Sequence, residues 1–309
     1  MKISVILPFY NEEKTIKLTI ECLRNQSLIA NEIIFVDSGS DDNTTKIINE
    51  AAIKHPSLNI TILFSGKMSP SSSVNLGIKK SINNMIVYMD CGLDIPSNWL
   101  ESQAASYDRK KIDIISGRIY TEGANVVDKC FIAHTYGFKN KCICLTGSLM
   151  NKLIFEDIGY FIENCRAGYD VDFINKVKQN SLTRSINKDV CLRYFGINFA
   201  ANISDGYNKI KLYSKSGWSA YGDRKPYLYF LMLIIFLLVI SFSQLIYIMT
   251  LIISYIVIRG YIIPFYKSKA ILDIKSGKFF GMLPVTALLF DIARINGYAE
   301  GLFKKNKSI

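Results

Sequence analysis

Histidine is nearly absent: His55 and His134 are the only two in 309 residues, too few for a histidine-rich metal centre, and each reads as structural. The seven cysteines are odd in number and form no Cys-x-x-Cys pair, which argues against a disulfide framework or a zinc site and fits a reducing compartment. A signal-peptide pattern is missing as well. One Lys precedes the short apolar run 3–7, then Pro8 and charged residues follow, so the start of the chain is expected to stay in the cytoplasm. With 50% hydrophobic and only 20% charged residues, the chain is neither disordered nor collagen-like and must fold around a sizeable core. A mean hydropathy of +0.19 beside a net charge of +11 is nevertheless unusual for a wholly soluble protein.

The longest absence is of charge itself: residues 226–258 are 33 consecutive uncharged positions rich in Leu, Ile, Phe, Tyr and Met. Roughly 20 apolar residues cross a bilayer, so this run is long for one crossing and short for two. Ser241, Phe242, Ser243 and Gln244 near its middle would mark the turn of a tight helical hairpin. Basic residues flank the run on both sides, among them Arg224 and Lys225 before it and Arg259 and Lys267 after it, which favours both ends being cytoplasmic. That requires an even number of crossings or a re-entrant hairpin. Residues 226–309 carry 9 basic against 3 acidic residues, about half the net surplus. The stretch 279–290 is only 12 residues and contains Pro284, so it reads as an interfacial segment or a core helix.

Before this run, short apolar segments alternate with amphipathic ones. Residues 3–7, 32–36, 60–64 and 85–89 read as strands. Asn11 is expected to cap a helix carrying Ile16, Ile20 and Leu23, a second helix follows Thr44, and a third spans 75–82. This β-α-β alternation predicts an α/β fold with a mostly parallel sheet and a ligand site beyond the carboxyl ends of its strands. The polar residues gather at those ends: Pro8, Tyr10 and Asn11 after the first strand, Asp37 and the Ser-Gly-Ser-Asp-Asp that follows it after the second, Asp90 after the fourth. Aromatic rings and carboxylates there suit a nucleotide whose diphosphate needs a cation.

The segments SVILPFYNEEKTI, IIFVDSGSDDNT and KMSPSSSVNLGIKKSINNMIVYMD, in this order, resemble glycosyltransferase family 2 enzymes with the GT-A nucleotide-sugar fold, over about residues 3–180. Ser38 stands where the family has a second Asp. The resemblance implies that Pro8, Tyr10, Asn11 and Asp37 surround the nucleotide of a nucleotide-sugar donor, and that Asp90 ligates Mg²⁺ or Mn²⁺. The family's Asp-x-Asp is incomplete, because Asp90 is followed by Cys91 and Gly92. Asp94 reads either as a further ligand or as a turn residue, and Cys91 as a small space-filler.

In LTGSLMNKLIFEDIGYFIENCRAGYDVDF the resemblance places Gly147 and Ser148 beside the donor sugar, Glu163 at a turn and Asp170 as the catalytic base. Tyr169 replaces the family's Glu, and Asp172 is the structural rival of Asp170. The ending DIARINGYAEGLFKKNKS is similar to membrane-linked members that build bacterial surface polysaccharides. The implied organisation is a catalytic domain over 1–222, a membrane hairpin over 223–266 and a basic, membrane-associated tail over 267–309. The expected activity is inverting transfer from a nucleotide sugar to a lipid-linked saccharide acceptor, on the cytoplasmic side of the inner membrane and in contact with membrane lipids. The alternative is a non-catalytic nucleotide-sugar binder or assembly scaffold. Nucleic acid is not an expected partner, since the basic residues flank the apolar run and no recognised module occurs.

Overall fold

The computed structural model describes residues 1–107, 112–194, 199–221, 225–242 and 245–305. Its first part runs β1 (Ile3–Phe9), α1 (Ile16–Arg24), β2 (Glu32–Asp37), α2 (Thr44–Lys54), β3 (Ile60–Phe64), α3 (Pro70–Lys80), β4 (Met85–Tyr88), β5 (Leu93–Asp94) and α4 (Trp99–Ala105). There follow β6 (Ile114–Thr121), α5 (Val126–His134), β7 (Asn140–Asn151), α6 (Ile154–Ile158), α7 (Tyr169–Gln179), β8 (Arg184–Ile186) and β9 (Leu192–Tyr194). The remainder is helical: α8 (Ile203–Tyr221), α9 (Lys225–Phe242), α10 (Leu245–Tyr255), a π-helical stretch Ile256–Ile262, α11 (Ile263–Lys267) and α12 (Gly277–Lys305).

The chain groups into two compact units, Met1–Tyr120 with Lys141–Ile197, and Thr121–Asn140 with Asn198–Ile309. This grouping differs from a linear division at 222 and 266, because α5 buries Cys130 and Ala133 with Phe279 and Leu283 of α12, and Phe131 with Phe290.

The first unit is built on a sheet of order β3-β2-β1-β4-β7-β6-β9-β5, with β8 beside β6. Strands β3, β2, β1 and β4 are parallel, β7 runs antiparallel to β4, and β5 runs antiparallel to β9. The first strand is apolar apart from Ser4, whose buried hydroxyl bonds Glu32, because both its faces are covered: Ile3, Val5 and Leu7 pack with α1 and α4, while Ile6 packs with α3 and α7. Phe9, Asp37 and Phe64 are level across the sheet, so the loops after β1, β2 and β3 open on one edge. Strand order reverses between β1 and β4, where a crevice for ligand is expected in such sheets.

Helix α3 starts earlier than the apolar spacing alone predicts. Ser69 caps it by accepting the Ser72 amide at 3.3 Å, and Pro70 occupies the first turn, where its missing N–H costs nothing. Asn75 ties the helix to the segment before α7: its amide donates to the Phe161 carbonyl (2.9 Å), and its carbonyl accepts the Phe161 amide (3.1 Å). Gly77 lets α3 lie directly on the sheet, since a Cβ there would come within 2.4 Å of Ile6 Cγ2 and 3.1 Å of Val36 Cγ2. Asn11 does not cap α1. The helix begins after Thr15, and Asn11 instead takes a left-handed conformation (φ +55°).

In the second unit, Leu245–Lys267 (23 residues) and Gly277–Leu302 (26 residues) are long and apolar enough to cross a membrane. Lys225–Leu238 is a shorter apolar helix. Of the expected turn, Ser241 and Phe242 end α9, while Ser243 and Gln244 lie outside the described residues. The stretch 279–290 belongs to a single helix of 29 residues. The apolar count stops short because Asp291, Arg294 and Glu300 interrupt it, yet each pairs with partners that let the helix continue. Gly297 and Gly301 face α8 so closely that a Cβ would sit 2.2 Å from the Lys211 carbonyl and 3.0 Å from that of Lys215. Lys211 and Lys215 both pair with Glu300, the latter at 2.8 Å.

Gly77→Val is expected to destabilise the first unit by roughly 3 kcal/mol, because neither strand can retreat from α3. Equilibrium urea unfolding of the purified protein measures it; an unchanged midpoint would show that α3 can lift off the sheet.

Candidate active site

At the carboxyl edge the first two loops brace each other. Asn11 donates from its amide to Asp41 (2.7 Å) and accepts the Asp41 backbone amide (3.0 Å), while its own N–H meets the Ser40 hydroxyl (3.1 Å). The buried Asp37 carboxylate accepts the amides of Gly39 (3.1 Å) and Ser40 (2.8 Å) and the Thr45 hydroxyl (3.2 Å). Asp37 therefore shapes the loop, with Gly39 at φ +90° supplying the turn. Ser38 points away from the edge and bonds Ser73 at 2.9 Å. Tyr10 is half exposed, and Pro8 is the penultimate residue of β1, its carbonyl accepting from the Cys91 thiol.

Asp90, just past β4, is the centre of this edge. Tyr88 donates to one carboxylate oxygen (2.8 Å), Tyr194 to the other (2.7 Å), and the Asp90 amide donates to the Thr146 hydroxyl (2.8 Å). Tyr169 lies in hydrogen-bond contact with Tyr88, hydroxyl to hydroxyl at 2.7 Å. Burial, the Asp90 charge and the hydroxyl contacts push the Tyr88 phenol far above its ordinary range, so it is a donor at any physiological pH. Glu12 is a neighbour that the sequence pattern did not single out. Burial raises its carboxyl above the usual value against the opposing bond from Thr15, and the charges of Asp90 and Asp42 raise it further. A run of two glutamates after Asn11 reads as a solvated helix start, so only the fold reveals which one turns inward.

In the incomplete Asp-x-Asp, glycine stands at the second aspartate's place. Gly92 adopts φ +72°, a conformation glycine takes without strain, and donates its amide to the buried Thr19 hydroxyl (2.9 Å). Cys91 is buried, which pushes its thiol well above the usual range and leaves it an inert filler. Asp94 lies in β5, opposite Arg193 of β9. Among the described residues no group of three or more His, Cys, Asp or Glu side chains gathers as a self-sufficient metal centre. Each Asp90 oxygen accepts one phenol and retains a second lone pair, so the donor set fits a cation held largely by a ligand's phosphates, as Mg²⁺ commonly is.

Asp170 opens to solvent in the first turn of α7. Desolvation raises its pKa, the amides of Val171 and of Asp170 itself oppose the rise, and the Asp90 charge adds to it. Asp172 pairs instead with Lys176 at 3.0 Å on its own helix. Gly147 takes φ +73° where a Cβ would meet Leu192 at 2.5 Å, and its carbonyl accepts from Gln103 (2.7 Å). Ser148 is 0% exposed; its hydroxyl accepts the Gly117 amide (3.0 Å) and donates to the Cys144 carbonyl (3.1 Å), so it holds β7 against β6. Glu163 sits on the surface, 3.9 Å from Lys79.

The fold and this edge define a GT-A-type α/β unit. Residues 4–156 match the family model "Glycosyl transferase family 2", and the chain belongs to that family. It is 22% identical to Glycosyltransferase AglE of Haloferax volcanii over 61% of this chain and 65% of that protein. It is 34% identical to Cholesterol galactosyltransferase of Borreliella burgdorferi over 36% of this chain and 30% of that one. With Undecaprenyl-phosphate 4-deoxy-4-formamido-L-arabinose transferase of Yersinia pestis it shares 31% identity over 31% and 30% of the respective chains. The chain thus spans less than two thirds of each of these relatives. Its fold is similar to mannosyltransferase PcManGT from Pyrobaculum calidifontis, solved with GDP-Man and Mn²⁺ (TM-score 0.60, 13% identity, 95% of this chain and 87% of that one). It is also similar to S. aureus TarS 1-349, solved with UDP-GlcNAc (TM-score 0.50, 18% identity, 99% and 93%).

Tyr88→Phe removes a donor from Asp90 and the partner of Tyr169, and is expected to cost about 1–3 kcal/mol. A double-mutant cycle with Tyr169→Phe, read by chemical denaturation, should show coupling of about 1 kcal/mol. Strict additivity would mean that the three hydroxyl and carboxylate groups do not act as one network.

Proposed function

We propose that this chain is an inverting glycosyltransferase that moves a sugar from a nucleotide-sugar donor to a lipid-linked saccharide at the cytoplasmic face of the inner membrane. The observation that carries the reading is the convergence of Asp90, Asp170 and the Asn11–Asp41 loop brace on one edge of a family 2 domain, where strand order reverses. Nucleotide-sugar complexes of similar folds support the donor class, and PcManGT's Mn²⁺ supports a divalent cation. The undecaprenyl-phosphate transferase relative and the two long apolar helices support a lipid-linked acceptor and a membrane location.

In this mechanism Tyr10 and the braced loops position the nucleotide, with Asp37 and Pro8 fixing their shape and Gly147 and Ser148 setting the strand beneath the sugar. Asp90 would hold the cation, Mg²⁺ or Mn²⁺, together with the diphosphate; when bound, the cation neutralises charge on the leaving group. Asp170 takes the proton from the acceptor hydroxyl. The acceptor oxygen forms its bond to the anomeric carbon while the bond to the diphosphate oxygen breaks on the opposite face, the electron pair leaving with the phosphate. Inversion follows from that geometry.

Nucleotide-diphosphate release is the assay, using detergent-purified protein, membrane-lipid extract and a panel of UDP-, GDP- and dTDP-sugars with Mg²⁺ or Mn²⁺. Asp170→Asn is expected to lower turnover by roughly 10²–10⁴-fold while nucleotide still binds. The base must be ionised, and its pKa is raised, so the rate should fall with decreasing pH at a point above the ordinary carboxylate range. Release that persists in Asp170→Asn would reject this base; nucleotide binding without release from any donor would favour the scaffold reading.

A further inference from the structure

The second unit contains a charged cluster that the proposed transfer reaction does not use. Asp291 of α12 accepts Arg259 through both oxygens (Nε 2.7 Å, Nη2 2.6 Å) and Arg294 through Nη1 (2.6 Å), with the Tyr255 hydroxyl at 2.9 Å and that of Tyr229 at 3.4 Å. Arg259, Asp291 and Arg294 retain only 15%, 12% and 16% side-chain exposure, in helices otherwise dominated by Leu, Ile and Phe. Two guanidinium groups against one carboxylate leave one positive charge uncompensated. Arg259 Nη1 and Arg294 Nε and Nη2 make no hydrogen bond among the described residues, and none of them is a buried unpaired atom, so these donors stand open to a ligand.

Two further observations concern the same place. Arg259 lies in the π-helical stretch Ile256–Ile262, where the Ile263 amide reaches back five residues to the Ile258 carbonyl. Pro264, which cannot donate to the Gly260 carbonyl, follows at once, and such widened turns recur at functional positions. His134 of α5 is 1% exposed, lies within electrostatic range of Arg259 and Arg294, and bonds the Leu283 carbonyl through Nε2 at 2.9 Å. A carbonyl only accepts, so Nε2 carries the proton and Nδ1 is a bare acceptor, buried with no partner. Burial keeps the ring neutral, its pKa pushed down to about 3.

We propose that Arg259, Arg294 and His134 form a seat for a phosphate monoester, the guanidinium groups gripping its anionic oxygens and His134 Nδ1 accepting from its P–OH. The reading of the chain as a lipid-linked transferase enters only in naming a lipid headgroup as one source of that monoester; free phosphate is the other. A phosphodiester has no P–OH to offer and meets the site less well.

Native mass spectrometry of the detergent-purified full chain tests this without any nucleotide sugar, so failure of transfer and failure of binding are separate results. Phosphatidic acid, phosphatidylglycerol and phosphatidylcholine are the probes. The wild type is expected to retain phosphatidic acid about tenfold better than phosphatidylglycerol, and Arg294→Gln to lower that retention about tenfold. Asp291→Asn, which frees both cations, should raise it. Displacement of the lipid by millimolar inorganic phosphate would identify the bare anion as sufficient; retention against it would identify the lipid as the source. Equal retention of phosphatidic acid and phosphatidylglycerol by the wild type overturns the proposal without recourse to any variant. So does undiminished retention in folded Arg259→Gln and Arg294→Gln proteins, which would leave the cluster a helix clamp.

Discussion

The Asp90 carboxylate carries the heaviest constraint in the first unit. It must remain fixed at the end of β4 although Glu12 and Asp170 place like charge within its field. Additional cations would hold it but would also compete with any metal for its oxygens. Phenols solve this differently: Tyr88 and Tyr194 each supply one donor, add no charge and leave a lone pair on each oxygen. Tyr169 extends the arrangement by one hydroxyl, and its ring is wedged edge-on to Phe161 (5.7 Å), so the network is anchored in the same aromatic cluster that seats α7. Positioning of Asp170, one residue on, depends on that anchor.

The departures from the family's usual residues follow from this arrangement. A glutamate at 169 would put a carboxylate beside Tyr88, whose single proton is already directed at Asp90. Gly92 takes φ +72° and gives its amide to Thr19. An aspartate at 38 would be buried against Ser73 in place of a compact hydroxyl pair. The edge carries fewer carboxylates than the family's usual pattern, and Asp90 is the one held by phenols. For a ligand that brings two phosphates of its own, a smaller negative field is an advantage as long as one oxygen ligand remains.

Strands β1, β2 and β4 were legible in the sequence because burial on both faces leaves mostly apolar runs, a signal that needs no tertiary information; β3, on the sheet edge, showed through its β-branched residues. Asp37, at the end of β2, and Asp90, two residues past β4, stood out by their place at strand ends, while Asp170 in the first turn of α7 was picked out by the family resemblance. What Asn11 and Ser148 do was not. Asn11 has the residue type of a cap, and only the loop after β2, about thirty residues away, decides that it braces Asp41 instead. Ser148 stands in a segment that looks exposed until β6 covers it from one side. The full length of α12 was hidden by its charges, because a count of apolar residues cannot know that Asp291 and Glu300 are neutralised by arginines and lysines from the same helix and from others.

Each unit is organised around one aspartate whose oxygens are shared among several donors, and the difference between the donors sets what each can bind. Among the described residues the side-chain donors to Asp90 are phenols, so the carboxylate's charge stays available and the edge remains suited to a cation or to the metal-bound face of a diphosphate. Two guanidinium groups converge on Asp291 together with phenols, which inverts the local sign and leaves guanidinium donors free for an anion. Were the second cluster only a helix clamp, one arginine would neutralise Asp291 and the other would add a desolvation cost without a matching charge. The surplus cation and the unpartnered nitrogen of His134 are each hard to account for as packing, and a single bound anion accounts for both.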